Sequence, residues 1–137
     1  MINKVPRLHV NAKVVIRTAD EFAYLTYPSG MHDLPGGHIE FGETVIDGLR
    51  REVQEELGYT MPTEPRLIGI WEYISQSRQS HTVYIGYMMQ LTDKPELRYI
   101  EHDDGTILNW LHRDSIVQHG FYPQFEKMIL QAMDLKL

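Results

Sequence analysis

The sequence predicts a single α/β domain of the mixed-sheet, α+β kind, spanning residues 1–137. Three observations support this. Strand-like segments lie on both sides of one strong helical segment, a second helical segment ends the chain, and 42% of the residues are hydrophobic. A chain of this length and composition buries a core of its own. Strands interleaved with a central and a terminal helix predict a sheet sandwiched with helices.

The first two strands are predicted to form a hairpin. Residues Leu8–Arg17 combine apolar–polar alternation with several β-branched side chains, and Phe22–Tyr27 is predicted to be the partner strand. The polar residues 18–21 between them are typical of a turn. The following residues, 28–37, contain two prolines and three glycines, which predicts an irregular loop.

The central helix is predicted over Thr44–Leu57. Its apolar residues recur at helical spacing, namely at Val45, Ile46, Leu49, Val53 and Leu57. Thr44 is a suitable N-cap, and Gly58 supplies the left-handed conformation that commonly ends a helix.

Three more strands and a terminal helix are predicted in the second half of the chain. Residues Leu67–Ser75 and His81–Leu91 are predicted to pair across a polar turn, and Thr106–His112 forms a further strand after a polar, acidic loop. Asp114 is predicted to cap a short helix. The last helix begins near Pro123, since proline is favoured in the first turn of a helix.

Charge and composition exclude several classes of function. The formal net charge is −6, whereas a general nucleic-acid-binding protein normally shows a basic surface, so nucleic acid is an unlikely partner. The chain has no cysteine, which rules out disulfides and thiolate metal sites. No apolar segment approaches the about 20 residues of a membrane span, and the N-terminus lacks a signal-peptide pattern. These absences predict a cytoplasmic protein without a membrane partner.

Three glutamates on the central helix predict a site for cations. Glu52, Glu55 and Glu56 fall within an arc of roughly 100° beside the apolar stripe. Repulsion between like charges destabilises a helix unless solvent or a positive partner relieves it. One interpretation is an exposed acidic face with pairs such as Arg51–Glu55. The other is a site for Mg²⁺, which prefers carboxylate and phosphate oxygens.

The surrounding pattern favours the second interpretation. Gly37, five residues, Glu43, seven residues and then residues 51–59, REVQEELGY, reproduce a Nudix box. The chain therefore resembles the Nudix hydrolases of the MutT-like kind, whose fold is an α/β/α sandwich. It departs from the usual pattern at Tyr59, where a smaller aliphatic residue is usual, and this bears on packing rather than chemistry.

The resemblance implies a pyrophosphohydrolase that uses Mg²⁺, or Mn²⁺ in its place, to cleave a nucleoside diphosphate linked to another group X. By position in the box, the implied metal ligands are Glu52, Glu55, Glu56 and the Gly36 carbonyl. Arg51 would orient Glu43 or one of these ligands. The general base is either Glu55 or Glu56 or an acid of the later loop, for which the candidates are Glu101, Asp103 and Asp104.

Substrate contacts are less well defined by the sequence. Aromatic side chains stack on nucleobases, which puts Tyr27 and Trp71 first, with His81 as a possible pocket residue. Within the resemblance, (d)NTPs are the first candidate substrates, followed by nucleotide sugars and dinucleoside polyphosphates. ADP-ribose is favoured less, because Tyr73 stands near the place of a proline that is common in ADP-ribose-cleaving members. Members of the family as a whole are often homodimers, although no pattern in the chain fixes its assembly. The alternative function is a catalytically silent nucleotide-sensing or protein-interaction module.

Overall fold

The computed structural model describes residues 6–136, and these form seven strands, two α-helices and one 3₁₀ helix. The termini of the predicted domain, residues 1–5 and 137, lie outside the described residues. In chain order the elements are β1 (Arg7–Arg17), β2 (Glu21–Thr26), β3 (His32–Asp33), β4 (Gly36–His38), α1 (Val45–Leu57), β5 (Arg66–Ser75), β6 (Ser80–Gln90), β7 (Ile107–His112), the 3₁₀ helix (Arg113–Ser115) and α2 (Pro123–Asp134).

The sheet is mixed, and β1 is its central strand. Strand β1 runs parallel to β6 along its whole length and antiparallel to β2 and β4. Strand β5 pairs antiparallel with β6, while β3 and β7 pair antiparallel with β2. The antiparallel β1–β2 and β5–β6 pairs confirm the two predicted hairpins.

Alternating residues of β1 feed two separate cores on the two faces of the sheet. Ala12, Val14 and Ile16 pack with Leu49 and Val53 of α1. Val15 belongs to the opposite core, which consists largely of residues of α2 and of the segment before it, including Ile116, Phe121, Phe125, Met128, Ile129, Ala132 and Met133. One helix therefore covers each face, which confirms the predicted mixed-sheet α/β/α sandwich.

Both helices lie where the sequence predicts them, and the caps of α1 are confirmed. The Thr44 side chain accepts a hydrogen bond from the Asp47 N–H, and Gly58 adopts a left-handed φ of 62°. Helix α2 begins at Pro123. Neither α1 nor α2 is long and apolar enough to cross a membrane, and the same holds for every helix within residues 6–136.

Two predictions of local structure are wrong. Residues 28–37 do not form a continuous loop, because His32–Asp33 and the start of Gly36–His38 pair with β2 and β1. Such short strands carry no periodic pattern, and they form because neighbouring strands offer free backbone groups. The 3₁₀ helix is capped by the ring of His112, which accepts from the Asp114 N–H, rather than by Asp114 itself.

Candidate metal and substrate site

Helix α1 presents its carboxylates along the border of the face that it buries. Leu49 and Val53 are fully buried against the sheet. Glu52 and Glu55 lie toward solvent beside this stripe, with side chains 16% and 46% exposed. The amphipathic pattern of the helix therefore fixes which way these two carboxylates point.

Arg51 holds three carboxylates in place. Its guanidinium donates two hydrogen bonds to Glu43, of 3.0 Å from Nε and 2.8 Å from Nη2. Nη1 donates to Glu52 at 3.1 Å and to Glu55 at 3.2 Å. These bonds lower the pKa of Glu43 to about 2 and raise the pKa of Arg51. The sequence left open whether Arg51 orients Glu43 or a predicted metal ligand. In the structure Arg51 contacts Glu43 and two of the predicted ligands, Glu52 and Glu55.

The loop before β7 adds a third carboxylate to the pair on the helix. The Ile100 N–H donates to the Glu56 carbonyl at 2.7 Å, which fastens the loop to the last turns of α1. As a result, one carboxylate oxygen each of Glu52, Glu55 and Glu101 lie within 4.8 Å of one another. We call these three residues the acidic cluster.

The other two acids of this loop do not join the acidic cluster. Asp104 Oδ1 accepts from the Thr106 N–H at 2.9 Å, and this local hydrogen bond lowers the pKa of Asp104. Asp103 is exposed. Of the three candidate loop acids, the structure brings only Glu101 to the helix.

The acidic cluster fits a hard divalent cation. Burial, together with the nearby charges of Glu55 and Glu101, raises the pKa of Glu52 despite its bond to Arg51. A cation among the three carboxylates would relieve this repulsion, and carboxylate oxygens are the ligands that Mg²⁺ and Mn²⁺ prefer. Gly37 leaves room for Glu52 because it has no side chain. A Cβ atom at this position would lie 2.6 Å from the Glu52 carboxylate.

Glu56 and Gly36 occupy a different, buried environment. Glu56 is only 6% exposed, and its carboxylate accepts from the Gly36 N–H at 2.7 Å. Burial raises the pKa of Glu56 to about 8, against the opposing effects of Lys13 and of the Gly36 hydrogen bond. The Gly36 carbonyl accepts from Lys13 Nζ at 3.2 Å. The metal-binding roles of Glu56 and Gly36 therefore stay predictions.

A cavity of about 480 Å³ opens on the α2 side of the sheet. Its wall is mostly aromatic and polar, and includes Tyr27, Tyr73, Tyr84, Tyr122, Gln124 and Phe125. Lys13 and Asp33 also line it, and the Tyr27 hydroxyl donates to Asp33 at 2.5 Å. Because Lys13 also contacts Gly36, which contacts Glu56, the cavity and α1 are joined through a short series of hydrogen bonds.

Of the three predicted substrate-binding residues, only Tyr27 lines this cavity. Trp71 does not line the cavity but packs against the core under α2. Its indole lies close to Gly86, where an added Cβ atom would be 2.6 Å from the ring. His81 lies at the surface, where its ring Nε2 pairs with Glu72 at 2.6 Å. Two further tyrosines, Tyr73 and Tyr84, are in the cavity wall.

Lys13 and Asp33 were not predicted from the sequence. Lys13 is only 5% exposed and makes an ion pair with Asp33 at 3.0 Å. The available signal was a lysine inside an otherwise apolar stretch of a strand, AKVVI. A buried lysine requires a partner, but a strand pattern does not reveal which acid provides it.

Comparison with known proteins identifies the family. A profile described as the NUDIX domain matches residues 7–132, which is most of the chain. A protein of Methanocaldococcus jannaschii named ADP-ribose pyrophosphatase is 32% identical over 62 residues, which are 45% of this chain and 36% of that protein. The aligned part therefore spans about a third of that relative.

Solved structures share the fold. The MutT protein of Methanosarcina mazei superposes with a TM-score of 0.75 at 20% identity, covering 93% of this chain and 94% of the other. A MutT NUDIX hydrolase of Burkholderia pseudomallei gives 0.76 at 21% identity, covering 92% and 98%. The NUDIX domain of Shewanella oneidensis NrtR, complexed with ADP ribose, gives 0.74 at 16% identity, covering 90% and 84%. With its box, its sandwich and the profile match over residues 7–132, the chain belongs to the NUDIX domain family.

Proposed function

We propose that this chain is a Mg²⁺-dependent pyrophosphohydrolase that cleaves a nucleoside diphosphate linked to another group. The observation that carries the proposal is the acidic cluster, in which Glu101 of a distant loop joins Glu52 and Glu55 of the box helix within 4.8 Å. An exposed acidic face on a helix gives no reason for an acid from a distant loop to approach it, whereas oxygen ligands gathered from separate elements are what a divalent cation site uses.

The residues divide into ligands and supports. Glu52, Glu55 and Glu101 would hold the cation, and Arg51 keeps the two helical carboxylates in fixed orientations while Glu43 anchors the guanidinium. A divalent cation in this position supplies charge neutralisation for a diphosphate and lowers the pKa of water. Without it, the acidic cluster would repel a polyphosphate.

We propose Glu101 as the residue that accepts the proton of the attacking water, through the carboxylate oxygen that does not hold the cation. Arg51 donates hydrogen bonds to both Glu52 and Glu55. Among the described residues Glu101 accepts no hydrogen bond from Arg51, and the His102 ring lies 3.7 Å from its carboxylate. Among the alternatives left open by the sequence, the loop acid is therefore the one we propose, with Glu55 and Glu56 as the others to test.

The cavity on the α2 side supports a nucleoside substrate. Its tyrosines offer faces on which any base can stack, and its volume of about 480 Å³ lies in the range of small-molecule sites. Within the family resemblance (d)NTPs are the first candidates, whereas the relative from Methanocaldococcus jannaschii is named for ADP-ribose. We propose the general class and include both kinds of compound in the test.

The test is a hydrolysis assay with Mg²⁺ or Mn²⁺ on a panel of (d)NTPs, ADP-ribose, nucleotide sugars and dinucleoside polyphosphates. We expect at least one to be cleaved at its diphosphate. Glu55→Gln and Glu101→Gln should each lower turnover about a hundredfold or more, since general acid–base catalysis and metal positioning contribute on this scale. Glu64→Gln, an exposed glutamate on the connector after α1, is the matched control and should keep wild-type turnover.

Two results would contradict the proposal. Near-normal turnover in both Glu55→Gln and Glu101→Gln would show that the acidic cluster is not the reaction site. Tight nucleotide binding with no product, at several metal concentrations and pH values, would favour the silent nucleotide-sensing module instead.

A further inference from the structure

Lys13 is a buried cation at the centre of the sheet, with every hydrogen-bonding group satisfied. Its ammonium contacts Asp33 at 3.0 Å and the carbonyls of Leu34 and Gly36 at 3.2 Å each. An ammonium has three donors. All are therefore occupied within the protein, so Lys13 has no donor left for a substrate phosphate although it lines the cavity.

The contacts of Lys13 fasten the segment 33–36 onto β1. Gly36 lies so close to this strand that a side chain on it would begin 2.0 Å from the Ala12 carbonyl, and its φ is +122°. In this position the Gly36 N–H points at the Glu56 carboxylate, 2.7 Å away. Gly37, the next residue, lies against the Glu52 carboxylate. The segment that Lys13 fastens is thus the surface against which two box glutamates rest.

Arg17, a second buried cation on β1, makes contacts elsewhere in the fold. Arg17 donates to the carbonyls of Ala132 and Leu135 at the end of α2, at 2.7 and 3.4 Å, and to two carbonyls of the turn after β1. It contacts neither the segment 33–36 nor the box in these hydrogen bonds. Arg17 therefore provides a matched reference for a buried cation that supports only the fold.

We propose that Lys13 is a positioning residue, which fixes the segment Asp33–Gly36 and so sets the Gly36 hydrogen bond that orients Glu56 beside the acidic cluster. The effect on the reaction rests on the function proposed above. The effect on the Gly36 hydrogen bond does not, because it concerns only groups within the chain. A role limited to pairing with Asp33 would be structural, and the two roles are separable by substitution.

The experiment compares Lys13→Met with the double variant Lys13→Met/Asp33→Asn. The single variant leaves the Asp33 carboxylate without its cation, which is costly in a partly buried site. The double variant removes both charges but still lacks the ammonium that holds the Leu34 and Gly36 carbonyls. Three quantities are measured for each protein: the melting temperature, the solvent exchange rate of the Gly36 amide by NMR, and kcat on the best substrate of the panel.

Lys13→Met should lower the melting temperature by roughly 10 °C, and the double variant by less than half of that. In both variants the Gly36 amide should exchange at least about tenfold faster than in the wild type, because its segment keeps the backbone pairing with β1 but loses the Lys13 hydrogen bonds to the Leu34 and Gly36 carbonyls. In both, kcat should fall by about tenfold to a hundredfold, which is the scale of a small misplacement of reacting groups. Arg17→Met should also lower the melting temperature but leave the Gly36 exchange rate unchanged.

The proposal is overturned if the double variant regains wild-type Gly36 exchange and kcat along with its stability, since Lys13 would then serve only to neutralise Asp33. It is also overturned if Arg17→Met accelerates Gly36 exchange as much as Lys13→Met does. If the wild type cleaves no compound of the panel, the proposed function fails. The Gly36 exchange rates still decide the role of Lys13 in that case.

Discussion

The two helices cover opposite faces of one sheet, yet they are built for different purposes. The residues that α2 buries are all apolar, namely Phe125, Met128, Ile129, Ala132 and Met133. Helix α1 buries Leu49, Val53 and Leu57 but also the carboxyl group of Glu56. The buried face of α2 is therefore entirely apolar, whereas the buried face of α1 also includes an acidic group at its border.

The difference shows where this fold tolerates unfavourable electrostatics. Burying a carboxyl group and clustering others beside it destabilises α1, and the hydrogen bonds from Arg51 and Gly36 and the nearby charge of Lys13 offset only part of that cost. Apolar burial under α2 stabilises the domain without any such conflict. We infer that the buried face of α2 contributes mainly to stability, whereas the border of α1 carries the proposed cation chemistry.

The largest expected effect is a loss of stability on the α2 side. Ile129 is fully buried, so Ile129→Ala should lower the free energy of unfolding by about 3 to 4 kcal/mol through lost burial and a residual cavity. Turnover per folded molecule should change by less than about twofold, since Ile129 lies in the layer opposite α1 and does not line the cavity. Denaturant titration and an active-site-normalised assay measure the two quantities.

Lys127→Ala is the control on the same helix. Its side chain is exposed, and the unfolding free energy should change by no more than about 0.5 kcal/mol. A loss of turnover in Ile129→Ala as large as that expected for Glu55→Gln would break the proposed division between the two layers.

The next effect is the reverse, a loss of turnover with little loss of stability. Arg51→Met removes the hydrogen bonds to Glu43, Glu52 and Glu55, so turnover should fall about a hundredfold. These ion pairs are partly exposed, and the unfolding free energy should therefore change by only about 1 kcal/mol. Arg50→Met, the neighbouring arginine on α1, makes none of these bonds and should behave like the wild type in both measurements.

Local sequence patterns predicted the elements that carry a strong local signal. Helix α1 has an apolar stripe, a threonine cap and a terminal glycine, and each proved correct. The strands β3 and β4 were missed because they are two and three residues long and depend on the backbone groups of β2 and β1. The parallel pairing of β1 with β6 joins segments some seventy residues apart, and no local pattern contains that information.

The candidate site was predictable to the extent that it lies on one helix. The box places Glu52 and Glu55 together by spacing alone, but the approach of Glu101 depends on a distant loop that the Ile100 hydrogen bond fastens to α1. Trp71 and Tyr73 alternate onto the same face of β5. Helix α2 covers the first and leaves the second in the cavity wall, and strand periodicity cannot separate these outcomes. The role of Lys13 could not be predicted without knowing its partner, Asp33, which is 20 residues away in the sequence.

The most direct test of the central claim is the binding of Mn²⁺ alone, followed by electron paramagnetic resonance, to the wild type, Glu101→Gln and Asp103→Asn. If Glu101 completes a cation site with Glu52 and Glu55, its substitution should weaken Mn²⁺ binding about tenfold, whereas the neighbouring Asp103→Asn should leave it unchanged. Equal Mn²⁺ affinity in the wild type and Glu101→Gln, or an equal loss in both variants, would contradict the account.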